Sequence, residues 1–154
     1  MKETILNRWN DDEIIGIDSL SKEDGTVILL NSYRIKQDTK ELYFSFPICE
    51  TNINSIEKFN DDIWTTISVF TEKINIDNNT IVFGGEGGMG NEGFIACTDN
   101  VNNLKWALFF TNSNPFYKIE LEDGKINAYT STDLKYQIDI ETPTNIKITQ
   151  EAWR

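Results

Sequence analysis

A chain of 154 residues is the size of one domain and can bury a core without a metal or disulfide to hold it, so residues 1–154 are read as a single domain. Aromatic residues make up 12% of it, a load that disordered chains lack, so the chain is expected to fold. The net charge of −11, from 25 acidic and 14 basic residues, disfavours nucleic acid and anionic lipid surfaces and favours a basic protein as partner.

Polar and acidic residues follow Met1 at once, with no apolar signal core, and no apolar run approaches the ~20 residues that span a bilayer. A cytoplasmic protein is expected, with Cys49 and Cys97 as reduced thiols filling core space. Asp11-Asp12-Glu13 forms the first acidic cluster. Thr26 to Ile35 and Glu41 to Ile48 are apolar runs joined by Lys36–Lys40, which predicts a hairpin. Ile56, Phe59, Ile63, Ile67 and Phe70 follow helical spacing behind Asn54 or Ser55 as N-cap, which predicts a helix over Ser55–Phe70. The β-branched residues Ile63, Thr65, Thr66, Ile67 and Val69 oppose that reading and favour a strand.

Strands are predicted at Thr80–Phe83, Gly93–Thr98 and Leu104–Thr111, the last almost continuously apolar and therefore central. Tyr117 to Tyr129 alternates apolar and polar residues on both sides of Asp123-Gly124, the signature of a hairpin closed by a type I′ turn. Leu134–Ile140 extends the meander, and Asn145–Ile148 adds a short strand after Pro143. The expected fold is α+β and β-rich: an antiparallel meander sheet of about six to eight strands with one or two packed helices.

No histidine occurs, which removes Ser–His–Asp and Cys–His nucleophiles and histidine zinc sites, and two cysteines cannot complete a four-thiolate site. Neighbouring acids such as Asp61-Asp62 and Glu122-Asp123 diverge along the backbone as solvated charges do, and the sequence places no pair across a sugar-sized cleft, although 25 acids leave one possible. Asp77–Asn79 and Asp99–Asn103 offer oxygen ligands without the spacing of a calcium loop and are read as turns. No catalytic residue, metal or cofactor is therefore expected.

The densest unusual segment is Gly84-Gly85-Glu86-Gly87-Gly88-Met89-Gly90. It contains G-x-G-x-x-G, but a strand pattern follows instead of the helix a dinucleotide site needs, and Glu86 and Glu92 would repel phosphates. Two readings stand. The glycines form a wide hairpin loop or bulge with positive φ, or they let a partner's backbone approach closely while Glu86 and Glu92 present charge at its rim. Downstream, Phe116 after Pro115 is placed to anchor an interface.

Gly85 to Ala96, followed by Trp106 to Phe116, resembles small cytoplasmic immunity proteins of bacterial contact-dependent growth inhibition and related polymorphic toxin systems. The resemblance spans roughly the central third of the chain and implies a protein that binds and blocks a cognate toxin domain. Many such toxins are nucleases with basic, phosphate-binding surfaces, which suits an inhibitor of this charge. The candidate contacts are Glu86, Glu92 and Phe116, with Asp11, Asp12 and Glu13 as a second acidic surface. An acidic interaction domain of unrelated role, or a carboxylate-based carbohydrate enzyme, are the alternatives.

Overall fold

The computed structural model describes residues 2–151. The chain opens on helix α1 (Lys2–Asn10), which turns Ile5 and Trp9, one helical turn apart, into the interior. Strands β1 (Glu13–Ile15), β2 (Ser19–Lys22), β3 (Thr26–Gln37) and β4 (Lys40–Asn52) follow, then helix α2 (Ile53–Phe59). Short strands β5 (Trp64–Thr66), β6 (Ser68–Val69) and β7 (Ile74–Asp77) lead to β8 (Thr80–Glu86), β9 (Gly93–Thr98) and β10 (Leu104–Phe110). The C-terminal part is β11 (Phe116–Glu122), β12 (Lys125–Thr130), β13 (Leu134–Asp139) and β14 (Ile146–Gln150).

The fold is antiparallel and β-rich with two helices, as expected, but it is not one meander. The main sheet runs β4-β3-β2-β10-β9-β8-β6, with β7 also paired to β8, so β2 and β10 are neighbours although far apart in sequence. A separate four-stranded meander, β11-β12-β13-β14, packs on one face of it. On the other face lie α1, α2 and the two-stranded β1–β5 sheet.

Alternation along the central strands feeds both sides. Phe83, Phe94, Ala96, Ala107 and Phe109 join the cluster under the helices, with Trp9 and Phe83 ring centroids 6.0 Å apart. Val82, Ile95, Cys97, Leu108 and Phe110 join the cluster between the sheets. β10 is indeed central and loses its polar face.

The Asp123-Gly124 hairpin is as predicted. Glu122 pairs with Lys125, and Asp123 (φ 47°) and Gly124 (φ 75°) both take the left-handed conformation of a type I′ turn. The helix predicted over Ser55–Phe70 is corrected. Only Ile53–Phe59 is helical, and its N-cap is Asn52, whose side chain accepts from the Ser55 amide at 2.9 Å. Left-handed Asp62 (φ 50°) redirects the chain, and the β-branched run beyond it forms β5 and β6. Cys97 fills core space, but Cys49 is exposed on β4, the outermost strand of the main sheet.

In the glycine segment the expected hairpin loop is present, between the last β8–β9 pair Glu86↔Gly93, but the positive φ is corrected. Gly84 and Gly85 are strand residues, and the left-handed glycines of the chain are Gly25 and Gly124, neither of them in this segment. What Gly85 supplies is space: a Cβ there would lie 1.9 Å from the Ser68 carbonyl oxygen, so β6 can pair with β8 only across a residue without a side chain. Gly85→Ala is expected to cost about 1–3 kcal/mol by prising β6 from β8, whereas Gly90→Ala, which meets nothing within 4 Å, should stay within about 0.5 kcal/mol of wild type. Urea unfolding of the two variants measures the contrast, and equal effects would refute the close-approach account.

Candidate protein-binding surface

β3 and β4 are the longest strands and pair from Thr26↔Asn52 to Gln37↔Lys40, with one register shift between Leu29 and Leu30. Their turn is made at Asp38-Thr39, with Asp38 at φ 56°. β2, the inner neighbour of β3, pairs with it only over Val27–Leu29. From Asn31 onward the two strands therefore leave the sheet as a projecting arm.

Directly paired residues share a face. Val27 and Leu29 look toward the helical layer and Ile28 and Leu30 toward the second sheet, so odd-numbered β3 residues continue the first side and even-numbered ones the second. On the second side the arm is satisfied. The Ser32 and Ser45 hydroxyls bond at 2.9 Å, Arg34 pairs with Glu41 at 3.9 Å, and Tyr43 packs against the inter-sheet core. Tyr43 donates its hydroxyl to Glu41, and that bond raises the phenol's pKa.

On the first side nothing covers the arm. Tyr33 stacks on Phe44 with centroids 5.1 Å apart and meets Phe46 edge-on at 5.6 Å, while Ile35 and Leu42 extend the stripe toward the tip. These side chains are exposed, from 37% for Phe44 to 46% for Ile35, and the neighbouring Ile48, at a register shift of the ladder, is 57% exposed. This contiguous exposed apolar patch is the candidate interaction surface.

Beside the arm lies a cleft of about 500 Å³. Ser32, Tyr33 and Arg34 form one wall, Phe110, Asn112, Ser113 and Asn114 the opposite one, and Leu134, Tyr136 and Ile148 of the second sheet its floor. Asp18 sits at its inner end and is committed: its carboxylate accepts from the Thr111 amide at 2.6 Å and the Thr111 hydroxyl at 3.2 Å. Tyr136 is enclosed by Phe110 and Phe116, with centroids at 5.0 and 5.1 Å, and burial pushes its phenol well above the ordinary range.

The residues singled out by sequence do not converge. Glu92 is not an exposed rim charge: it is buried, and its carboxylate accepts the Met89 amide at 2.9 Å, tying the loop together. Glu86 is half-buried and pairs with Ser68 in the sheet. Phe116 is fully buried between the sheets against Phe110 and cannot anchor a partner. Asp11 and Asp12 are exposed beyond α1, while Glu13 is held by Arg8 at 3.1 Å, and Arg8 also lies over the Trp64 ring. Tyr33, Leu42, Phe44 and Phe46 went unnoticed. They read as ordinary hairpin residues by sequence, because their exposure depends on β2, the four-residue inner neighbour of β3, which the two longer strands overhang.

Asp77 and Asp99 close turns as read, accepting the Asn79 amide at 2.8 Å and the Asn103 amide at 2.8 Å. Among the described residues no group of three potential metal-ligating side chains gathers, and no helix is long and apolar enough to cross a membrane. Compared with protein-family models, curated proteins and solved structures, the chain matches none of them.

Two buried acids and three hydrogen-bonded surface carboxylates set a pH profile. Burial raises the Cys97 thiol from 9.0 to about 11, so the stability it contributes is complete below pH 9 and lost as pH climbs toward 11. Tyr136, also raised, acts in the same direction above pH 10. Backbone hydrogen bonds lower Asp24, Asp77 and Asp99 below 3.8, so their contribution holds above that value and disappears as pH falls through the depressed ones. With no histidine, urea midpoints should be level between about pH 6 and 8. Above pH 9 they should fall, and Cys97→Ala should remove a component on the order of 2 kcal/mol from that fall. An unchanged alkaline slope in Cys97→Ala would refute the assignment.

Proposed function

We propose that this chain is a protein-binding domain and that it serves as an immunity protein, covering a basic toxin domain and blocking it. The observation that carries the reading is the arm, whose aromatic and aliphatic face stands free on an otherwise acidic molecule. Residues 31–48 hold three bases and two acids, so the arm has a balance of +1 and the rest of the chain carries −12. An apolar centre free of strong charge, set within an acidic field, is the anatomy of an interface that steers a basic partner and then desolvates against it.

The resemblance of Gly85–Ala96 and Trp106–Phe116 to immunity proteins supports the same reading from a different part of the chain. A carbohydrate-active carboxylate pair finds no support in the cleft. Asp18 is the one carboxylate on its walls, and Thr111 engages it.

The toxin domain encoded beside this chain should bind it, and co-expression should rescue cells from that toxin alone. Phe46→Glu and Leu42→Glu, both at exposed positions, should leave the thermal midpoint unchanged and each weaken binding by ~2 kcal/mol. Association should slow with salt, since charges are screened beyond ~8 Å at physiological ionic strength. Binding that ignores both substitutions would move the interface off the arm. Equal rescue from unrelated toxins, or no binding to the neighbour's product, would end the immunity reading.

A further inference from the structure

The main sheet is interrupted beside β3. Reading outward along β3, the last backbone contact with the β2 side is the Leu30 amide donating to the Asp18 carbonyl at 3.0 Å. There the β2 chain leaves the sheet, while β3 continues through Gln37. Among the described residues no backbone hydrogen bond outside the β3–β4 ladder reaches Asn31–Gln37. That stretch of β3 is an open strand edge.

On the far side of β2, β10 runs on past Phe109, the partner of Ser19, to Phe110 and then turns through Asn112–Asn114. β3 and β10 are thus second neighbours, held two strand spacings apart, or ~9.5 Å, by the β2 between them. Beyond Asp18 that separation has walls and a floor but no strand, and the cleft of about 500 Å³ occupies it. At its inner end, where β2 stops, the opening is one strand wide. Its floor, Leu134, Tyr136 and Ile148, is largely apolar.

The two walls differ. On the β10 side the first free amide, that of Thr111, is already taken by the Asp18 carboxylate, and Asn112 and Asn114 line the wall with side-chain amides. On the β3 side the backbone itself is available. An occupant would therefore take its ladder from β3 and side-chain contacts from the opposite wall.

We propose that this gap seats an extended segment of the protein partner, added to the sheet as a strand against the open edge of β3. The inference rests on the protein-binding reading above and specifies its mode. The period of a strand sends alternate side chains of that segment down to the apolar floor, so apolar residues are required at every second position. The −12 of the surrounding body calls for Lys or Arg at the remaining ones.

The probe is a displayed library of linear peptides of about nine residues, panned on the full chain. Recovered peptides should alternate apolar with basic residues and should slow amide hydrogen exchange at Ser32–Lys36. Asn112→Trp and Thr132→Trp, at exposed positions on two different elements around the cleft, should each weaken the recovered peptide by about tenfold or more, while Phe46→Glu, outside the cleft, should leave it within about twofold. Methylating alternate peptide amides should abolish binding in one phase and spare it in the other, because an added strand bonds along one edge.

Equal loss in both phases, indifference to both tryptophan variants, pairing of two copies of this chain through β3, or no recoverable peptide would each overturn the proposal. The outcomes also separate the two readings. A toxin still neutralised by Asn112→Trp and Thr132→Trp removes the strand seat and leaves the immunity function. Peptides that fill the cleft in a chain that protects against no toxin do the reverse.

Discussion

β8, β9 and β10 have no face they can show to water. Phe83, Phe94 and Phe109 point one way and Val82, Ile95 and Leu108 the other, and all six are almost wholly buried. Each strand must therefore be covered twice. The helices and the β1–β5 pair meet one demand, and the C-terminal meander meets the other. Every other placement follows from that double cover, including the passage of β2 to the flank of β10. There its buried residues, Ser19, Leu20 and Ser21, extend the covered area.

The cover stops where the arm begins. The meander supports the arm's inner side at Tyr43, but the helical layer ends before Tyr33, so the same alternation that builds two cores inland leaves one unclothed stripe outboard. Nothing in the side chains of the arm itself announces this. Tyr33, Phe44 and Phe46 would be ordinary core residues if the helical layer were longer. Whether an apolar strand residue is core or exposed surface is decided by the length of its neighbours.

This is why the sequence was legible in parts. Hairpins announce themselves locally: Asp123-Gly124 fixes its own turn, and Gly93–Thr98 stands where its β-branched and aromatic content placed it. The helix over Ser55–Phe70 was half legible, since the 3.6-residue period persisted beyond Phe59 while the β-branched side chains already favoured pleated structure. Topology was not local at all. The β2–β10 pairing joins Ser19 to Phe109, and neither segment carries a mark of the other. The site residues failed for a related reason. Glu92 and Phe116 looked available by type, yet a tight loop consumed one and the inter-sheet core the other. The arm, which was visible as a hairpin, could be recognised as a surface only once the shortness of β2 beside it was known.

The β2–β10 contact also sets an order of events during synthesis. Ser19 is made long before Phe109, by roughly 5–20 s at the usual rates of translation. In that interval β2 and the β3–β4 hairpin can form their local ladder, but the central strands that will bury Leu20 and Val27 do not yet exist. The nascent chain must wait with those side chains bare, and closure of the main sheet is a late, long-range step with the slow kinetics that such pairings impose.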